Sequence, residues 1–224
     1  MFVLALDTAT PTVTAGVVEV SPDPSAGITT RAVRATHDAR KHGELLLPGA
    51  LAACAEAEIA LPDLDAVVVG IGPGPFTGLR VGMVTAAALG DALDLPVHGV
   101  CSLDAIAADA EGVDGPLIVA IDARRREVYW AAYAGGARIS GPHVETPAAL
   151  VARIPEVGAV AAAGACAGGT GLRVVSPESP GPRGLVACAV DAIRAGARPG
   201  PLEPLYLRRP DAVAPGPRKP ARTG

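Results

Sequence analysis

Asp7 closes the apolar run that starts at Phe2, and Thr8 and Thr10 follow it in a short polar turn. A carboxylate at a strand's end with hydroxyls in the next turn can approach the phosphates and metal of a bound nucleotide. Asp122 ends a second apolar run 115 residues later, and Val13 and Val128 begin the strands that follow the two turns. The second turn differs in chemistry. Arg124, Arg125 and Arg126 stand where small residues would let a phosphate near. Gly164, Gly168, Gly169 and Gly171 cluster further on without the pattern of a known nucleoside site. No GxxxxGK[ST] loop occurs, and no GxGxxG follows a strand. Asp7, Thr8 and Gly74 are therefore candidate nucleotide contacts of a vestigial kind.

Other chemistries find less support. The histidines are His37, His42, His98 and His143, with no HExxH and no pair four apart. His37 and His42 straddle a strand-to-helix loop, which favours a capping or surface role over metal ligation. Ser102 lacks a GxSxG elbow. Cys54, Cys101, Cys166 and Cys188 form no CxxC pair and sit among apolar neighbours, where a thiolate is disfavoured. They read as buried free thiols of a reducing compartment. No residue is assigned as catalytic or as a metal ligand, and a peptidase reading has neither zinc motif nor nucleophile elbow behind it.

The most distinctive segment runs from Gly70 to Gly90, GIGPGPFTGLRVGMVTAAALG. A β-branched strand around Val67, Val68 and Val69 reads as covered on both faces. Gly72-Pro73-Gly74-Pro75 ends it, because proline has no donor N–H and glycine opens backbone angles closed to other residues. Thr77 is placed to cap the helix that follows. On that helix Gly78, Gly82, Ala86 and Gly90 recur every four residues and form one stripe, with Met83 beside it. Glycine within a helix costs roughly 1 kcal/mol against alanine, so the stripe predicts a close backbone approach, by another helix or another chain. A preceding helix near residues 43–58 carries Leu45, Leu46, Leu47, Leu51 and Cys54 around most of its circumference. The pair predicts a helical seam open to a partner. A side chain at Gly82 is then expected to hold the seam apart while leaving the fold intact.

Stepping outward from these helices, the order βββαβα is expected twice, as two mixed sheets with helices on their faces. This is the α/β architecture of the duplicated actin-like ATPases. Residues 1–101 form the first lobe and carry the seam helices. Residues 102–209 form a smaller second lobe, with 102–110 as its linker. Its elements are a short strand at 137–140, helices near 147–153 and 184–195, and a strand at 159–163. Residues 210–224 form a proline-rich, basic, disordered tail. From Arg208 onward five basic residues face one acid, so a net charge of −4 leaves the rest near −8, a poor surface for nucleic acid. The apolar run from Val81 to Leu89 is too short to span a bilayer, and the chain starts directly on its first strand. A cytoplasmic protein is expected.

Four segments carry a family resemblance: LALDTAT at the start, GPGPFTGLRVG in the middle, DARRREVYW opening the second lobe and PLYLRRP near the end. With HGELLLPGA they are similar to the TsaB (YeaZ) family, accessory subunits in forming threonylcarbamoyladenosine in tRNA. The resemblance runs from Met1 to about Pro210. It implies the duplicated actin-like (ribonuclease H-like, ASKHA) fold and a non-catalytic scaffold that binds and stabilises the TsaD transferase together with the ATPase TsaE. It implies homodimers in isolation, with both interfaces on the two first-lobe helices, and tRNA contact only through the complex. ATP and metal are expected on the partner subunits, with no cofactor of this chain's own. An active ATP-dependent phosphotransferase of the same fold is the competing reading.

Overall fold

The computed structural model describes residues 1–208, so the basic tail lies outside the described residues. Strands β1 (Phe2–Asp7), β2 (Thr12–Val20), β3 (Ile28–His37), β4 (Ala66–Gly70) and β5 (Val97–Val100) form a mixed sheet in the order β3-β2-β1-β4-β5. β1 runs antiparallel to β2 and parallel to β4. The alternation along β1 serves two cores. Leu4 and Leu6 join Val67 and Val69 on one face, while Val3 and Ala5 join Val68 on the other. Helices α1 (His42–Glu56) and α2 (Phe76–Leu93) cover the first face, through Leu46, Ala50 and Cys54 on α1 and Ala86 on α2.

The second lobe repeats the plan. After α3 (Ser102–Asp109) come β6 (Leu117–Asp122), β7 (Val128–Ala134) and β8 (Ala137–Glu145). Then α4 (Pro147–Val157), β9 (Ala161–Ala163) and β10 (Arg173–Val174) complete a sheet ordered β10-β9-β6-β7-β8. Thr146 caps α4 by accepting from the Ala149 N–H at 3.3 Å, and Gly158 ends it in the left-handed region. Trp130 fills the core under α4 with Ile118, Ala120 and Leu150. The chain is therefore the duplicated actin-like α/β fold.

Several local expectations change. Residues 102–109 form α3, a helix instead of an open linker. Where the first lobe has α2 between β4 and β5, the second has only a 3-10 turn, Ala167–Thr170, between β9 and β10. The expected final helix is two short ones, α5 (Pro182–Ala187) and α6 (Val190–Arg194). These pack on the first lobe's sheet, with Leu185, Val186 and Ile193 in the core of Val3, Ala5 and Val18. α3 stays with the second sheet, placing Leu103 and Ile106 among Val119, Ile121 and Tyr129, while its Ala105 reaches the first lobe's core with Leu185. The second lobe thus lends α5 and α6 to the first lobe's sheet. Where α3 meets α5, a Cβ on Gly184 would strike the Ala105 carbonyl, so glycine is required there. β8 is also longer than the short strand expected, because its pairing with β7 continues to Val128 opposite Glu145.

The last described stretch straps the lobes together. The Leu205 N–H donates to the Ile71 carbonyl at 2.8 Å. Leu202 packs on the first core, and Leu205 and Leu207 pack on the second.

Candidate partner surface and interlobe cleft

The glycine stripe of α2 does not face a partner. Gly78, Gly82, Ala86 and Gly90 are buried within the chain itself. The approaching backbone is the turn after β1. A Cβ on Gly78 would stand 2.6 Å from the Thr8 carbonyl oxygen, and one on Gly82 would collide with Thr8 Oγ1. Gly90 meets Val97 of β5. Met83, Leu46 and Cys54 are likewise core residues. A Gly82 side chain would therefore break the fold, contrary to the expectation that it spares it.

The outward face of α2 lies two residues off the stripe, about 200° around the helix axis. Phe76, Arg80, Val84 and Ala88 recur there every four residues, and all are exposed. Among the described residues Val84 is the most open of the large apolar side chains, at 67 %. On α1 the exposed counterparts are Leu47 and Leu51, also four apart. Leu45 is half-buried and Thr77 is exposed. The N-cap position of α2 belongs to Pro75, and no side chain caps the helix, so Thr77 is not its cap. Of the expected interface set, Leu47, Leu51 and Thr77 reach the surface and Leu45 reaches it in part. Sequence reasoning missed Phe76, Arg80 and Val84: their four-residue spacing is present, but in a helix apolar on most sides spacing alone does not say which stripe faces outward.

The turn after β1 is closed. Thr8 donates its hydroxyl proton to the Gly78 carbonyl at 2.7 Å, wholly buried. A Cβ on Gly74 would strike the Ala9 backbone. His42 Nε2 lies 2.9 Å from the Thr10 carbonyl and fixes the turn to the start of α1. Asp7 is fully buried and points towards α3, where Ser102 Oγ donates to its Oδ2 at 2.6 Å and the Ala9 N–H to its Oδ1 at 2.8 Å. Burial pushes its carboxyl up to about 6, against the opposing pull of these two donors and of His42. Asp7, Thr8 and Gly74 do come together, but they bond to one another's neighbours and leave a phosphate no opening between them.

The second turn faces solvent. Asp122 is exposed, accepts from the Arg124 N–H at 2.9 Å and pairs with the Arg124 guanidinium at 3.6 Å. Arg124, Arg125 and Arg126 all adopt left-handed backbone angles, φ 62°, 54° and 63°. Such angles are costly for residues bearing a Cβ. Among the described residues no three His, Cys, Asp or Glu side chains are placed to hold a metal ion. Cys54 and Cys101 are buried, Cys166 is half-buried and Cys188 is exposed, so the expectation of four buried thiols holds for two. No helix among the described residues is long and apolar enough to cross a membrane.

Known proteins share this architecture. Residues 33–168 match the family described as TsaD, tRNA N6-adenosine threonylcarbamoyltransferase. An uncharacterised Mycobacterium tuberculosis protein is 51 % identical over 217 residues, 94 % of this chain and 93 % of its own length. The tRNA threonylcarbamoyladenosine biosynthesis protein TsaB of Bacillus subtilis is 33 % identical over 133 residues, 59 % of this chain and 55 % of that protein. YeaZ from Pseudomonas aeruginosa superposes with a TM-score of 0.74 at 28 % identity, covering 92 % of this chain and 99 % of that one. With the duplicated fold, a matched family over more than half its length and relatives of both names, the chain belongs to the TsaD-type family, in its TsaB/YeaZ branch.

Proposed function

We propose that the chain is a non-catalytic subunit in threonylcarbamoyladenosine formation on tRNA, which docks a TsaD-type transferase on the outer faces of α1 and α2. The observation that carries this is the pairing of exposed apolar side chains, Leu47 and Leu51 on α1 and Phe76 and Val84 on α2, with a first-lobe turn filled by its own backbone. A monomer gains nothing from exposing large apolar side chains at regular helical spacing, and a partner helix would remove them from water at about 25 cal/mol per Å². The same face serves a second copy of the chain when no transferase is present. An ATPase subunit of the TsaE kind joins the pair, and nucleotide and metal chemistry reside on those partners. The setting is cytoplasmic.

Two measurements test the reading together. Size-exclusion chromatography of the chain with a TsaD-type subunit is expected to give one co-eluting peak, and the isolated chain is expected to turn over no ATP. Separate elution overturns the docking claim. Robust turnover by the isolated chain favours a phosphotransferase and overturns the non-catalytic claim.

A further inference from the structure

Arg80 and Asp91 both stand on the outward face of α2, and both are exposed. Arg80 uses only part of its guanidinium within the chain. Its Nε donates to the Tyr206 hydroxyl at 3.2 Å, and its central carbon lies 3.8 Å over the Phe76 ring. Among the described residues no carboxylate pairs with it, so its terminal nitrogens present a planar fork to an acceptor outside the chain. Asp91 likewise has no basic partner among the described residues. Its place in α2 adds to the mismatch. Asp91 lies in the last turn, where unpaired carbonyls already make the helix end negative, and no basic residue there offsets it.

The spacing of the two charges shows what would match them. Asp91 follows Arg80 by eleven residues, three turns of helix, about 16 Å along the axis and about 20° around it. Val84 falls between them on the same stripe, with the exposed Ala88 beyond it. Phe76, Thr77, Arg80 and Val84 help to line an open hollow of about 390 Å³ on the N-terminal half of this face. The C-terminal half presents the small side chains of Ala88 and Ala92 around Asp91. One end of the stripe is therefore cationic and hollow, and the other is acidic and low. The same helix laid antiparallel offers these ends in reverse order.

We propose that two copies of the chain pair through antiparallel α2 helices, with Arg80 of each bonded to Asp91 of the other. The two-fold axis then passes between Thr85 and Ala86. The same register sets Val84 opposite Ala87, and Thr77 opposite Asp94, of the second copy. Each contact occurs twice, as in any isologous interface. Asp91 leaves the negative end of its own helix unopposed but lies beside the N-terminal half of the second. Phe76 and Tyr206 brace Arg80 before the second copy arrives, so little side-chain freedom is lost on pairing. A partner with a single acidic side chain would satisfy Arg80 and leave Asp91 unmatched, whereas a second copy satisfies both. The inference rests on the reading of the outer face of α2 as a docking surface, and adds the register and the charged pair that select a second copy.

Sedimentation velocity of the full chain over a concentration series tests this. The wild-type chain is expected to dimerise, and the dimer to weaken as salt rises. Arg80→Glu and Asp91→Arg each set like charges against each other at both ends of the interface, and each alone should raise the dissociation constant about tenfold or more. An equimolar mixture of the two variants should recover the dimer, because every altered charge then meets its opposite on the other chain. Recovery also shows that both variants are folded. Asp91→Asn changes an exposed side chain without repulsion, so it should keep the circular dichroism spectrum and still weaken the dimer. A wild-type chain that stays monomeric, a dimer indifferent to these substitutions, or a mixture that fails to associate overturns the pairing. Co-elution of the wild-type chain with a TsaD-type subunit is scored separately. A mixture that fails while the wild type still co-elutes refutes the pairing alone, and a mixture that recovers while co-elution is absent refutes the transferase reading alone.

Discussion

Thr8 and Gly78 touch across the seam between the turn after β1 and the start of α2, the Thr8 hydroxyl donating to the Gly78 carbonyl at 2.7 Å. That contact explains the small-residue stripe. A helix can sit on a backbone turn only where it has no side chain, and Gly78 and Gly82 supply two such positions. The stripe therefore seals the chain's own turn and leaves the opposite face of α2 for others.

Gly82→Leu is expected to destabilise the monomer by about 3 kcal/mol or more, because an added side chain meets the buried Thr8 and Val69. Chemical denaturation monitored by circular dichroism checks this. Unchanged stability with lost partner binding would restore the stripe as an interface.

Asp7 should make stability depend on pH. Its folded-state value, about 6, lies above the usual 3.8, so the folded chain holds this proton more tightly than the unfolded chain. The associated stabilisation is complete below about pH 4 and is lost as pH rises through about 6. Asp7→Asn should remove that dependence, and the variant should gain about 3 kcal/mol relative to wild type between pH 4 and pH 7. Urea melts across this range measure the difference. Parallel curves for the two proteins would mean that the carboxylate is stabilised by its donors as fully as by water.

Arg126 adopts φ 63° in a run of three left-handed residues. Arg126→Gly should stabilise the second lobe by about 0.5–1 kcal/mol, the relief of the Cβ clash exceeding the added freedom of the unfolded chain. A thermal melt reads the sign. A loss of stability would show that the arginine's contacts outweigh its backbone cost.

Trp130 is 1 % exposed and donates through Nε1 to Glu145 at 3.2 Å. Trp130→Ala should cost about 3–5 kcal/mol by leaving a cavity under α4. Equilibrium unfolding measures it, and a cost below about 1 kcal/mol would mean that the site collapses to fill the space.

The strands were legible because both faces of β1, β4 and β6 are apolar and each run ends on a turn residue. The crossing of α3 and α5 was not legible, since nothing local tells a helix which of two sheets it will cover. The site was half legible. Glycine spacing correctly announces a close backbone approach, but it does not say whether the approaching backbone is the chain's own or another's. Phe76 and Val84 look like core in a helix that is apolar on most sides, and only the fold shows that they face outward. The strap was hidden for a different reason: Tyr206 reaches Arg80 across 126 residues of sequence.

The central claim is that the exposed face of α2 is a docking surface. Val84→Glu places a charge on that face without touching the core, and its effect on monomer stability should stay within about 0.5 kcal/mol. Sedimentation velocity of this variant with a TsaD-type subunit is expected to show two unassociated species where the wild-type chain gives one complex. A variant that still assembles fully would contradict the account.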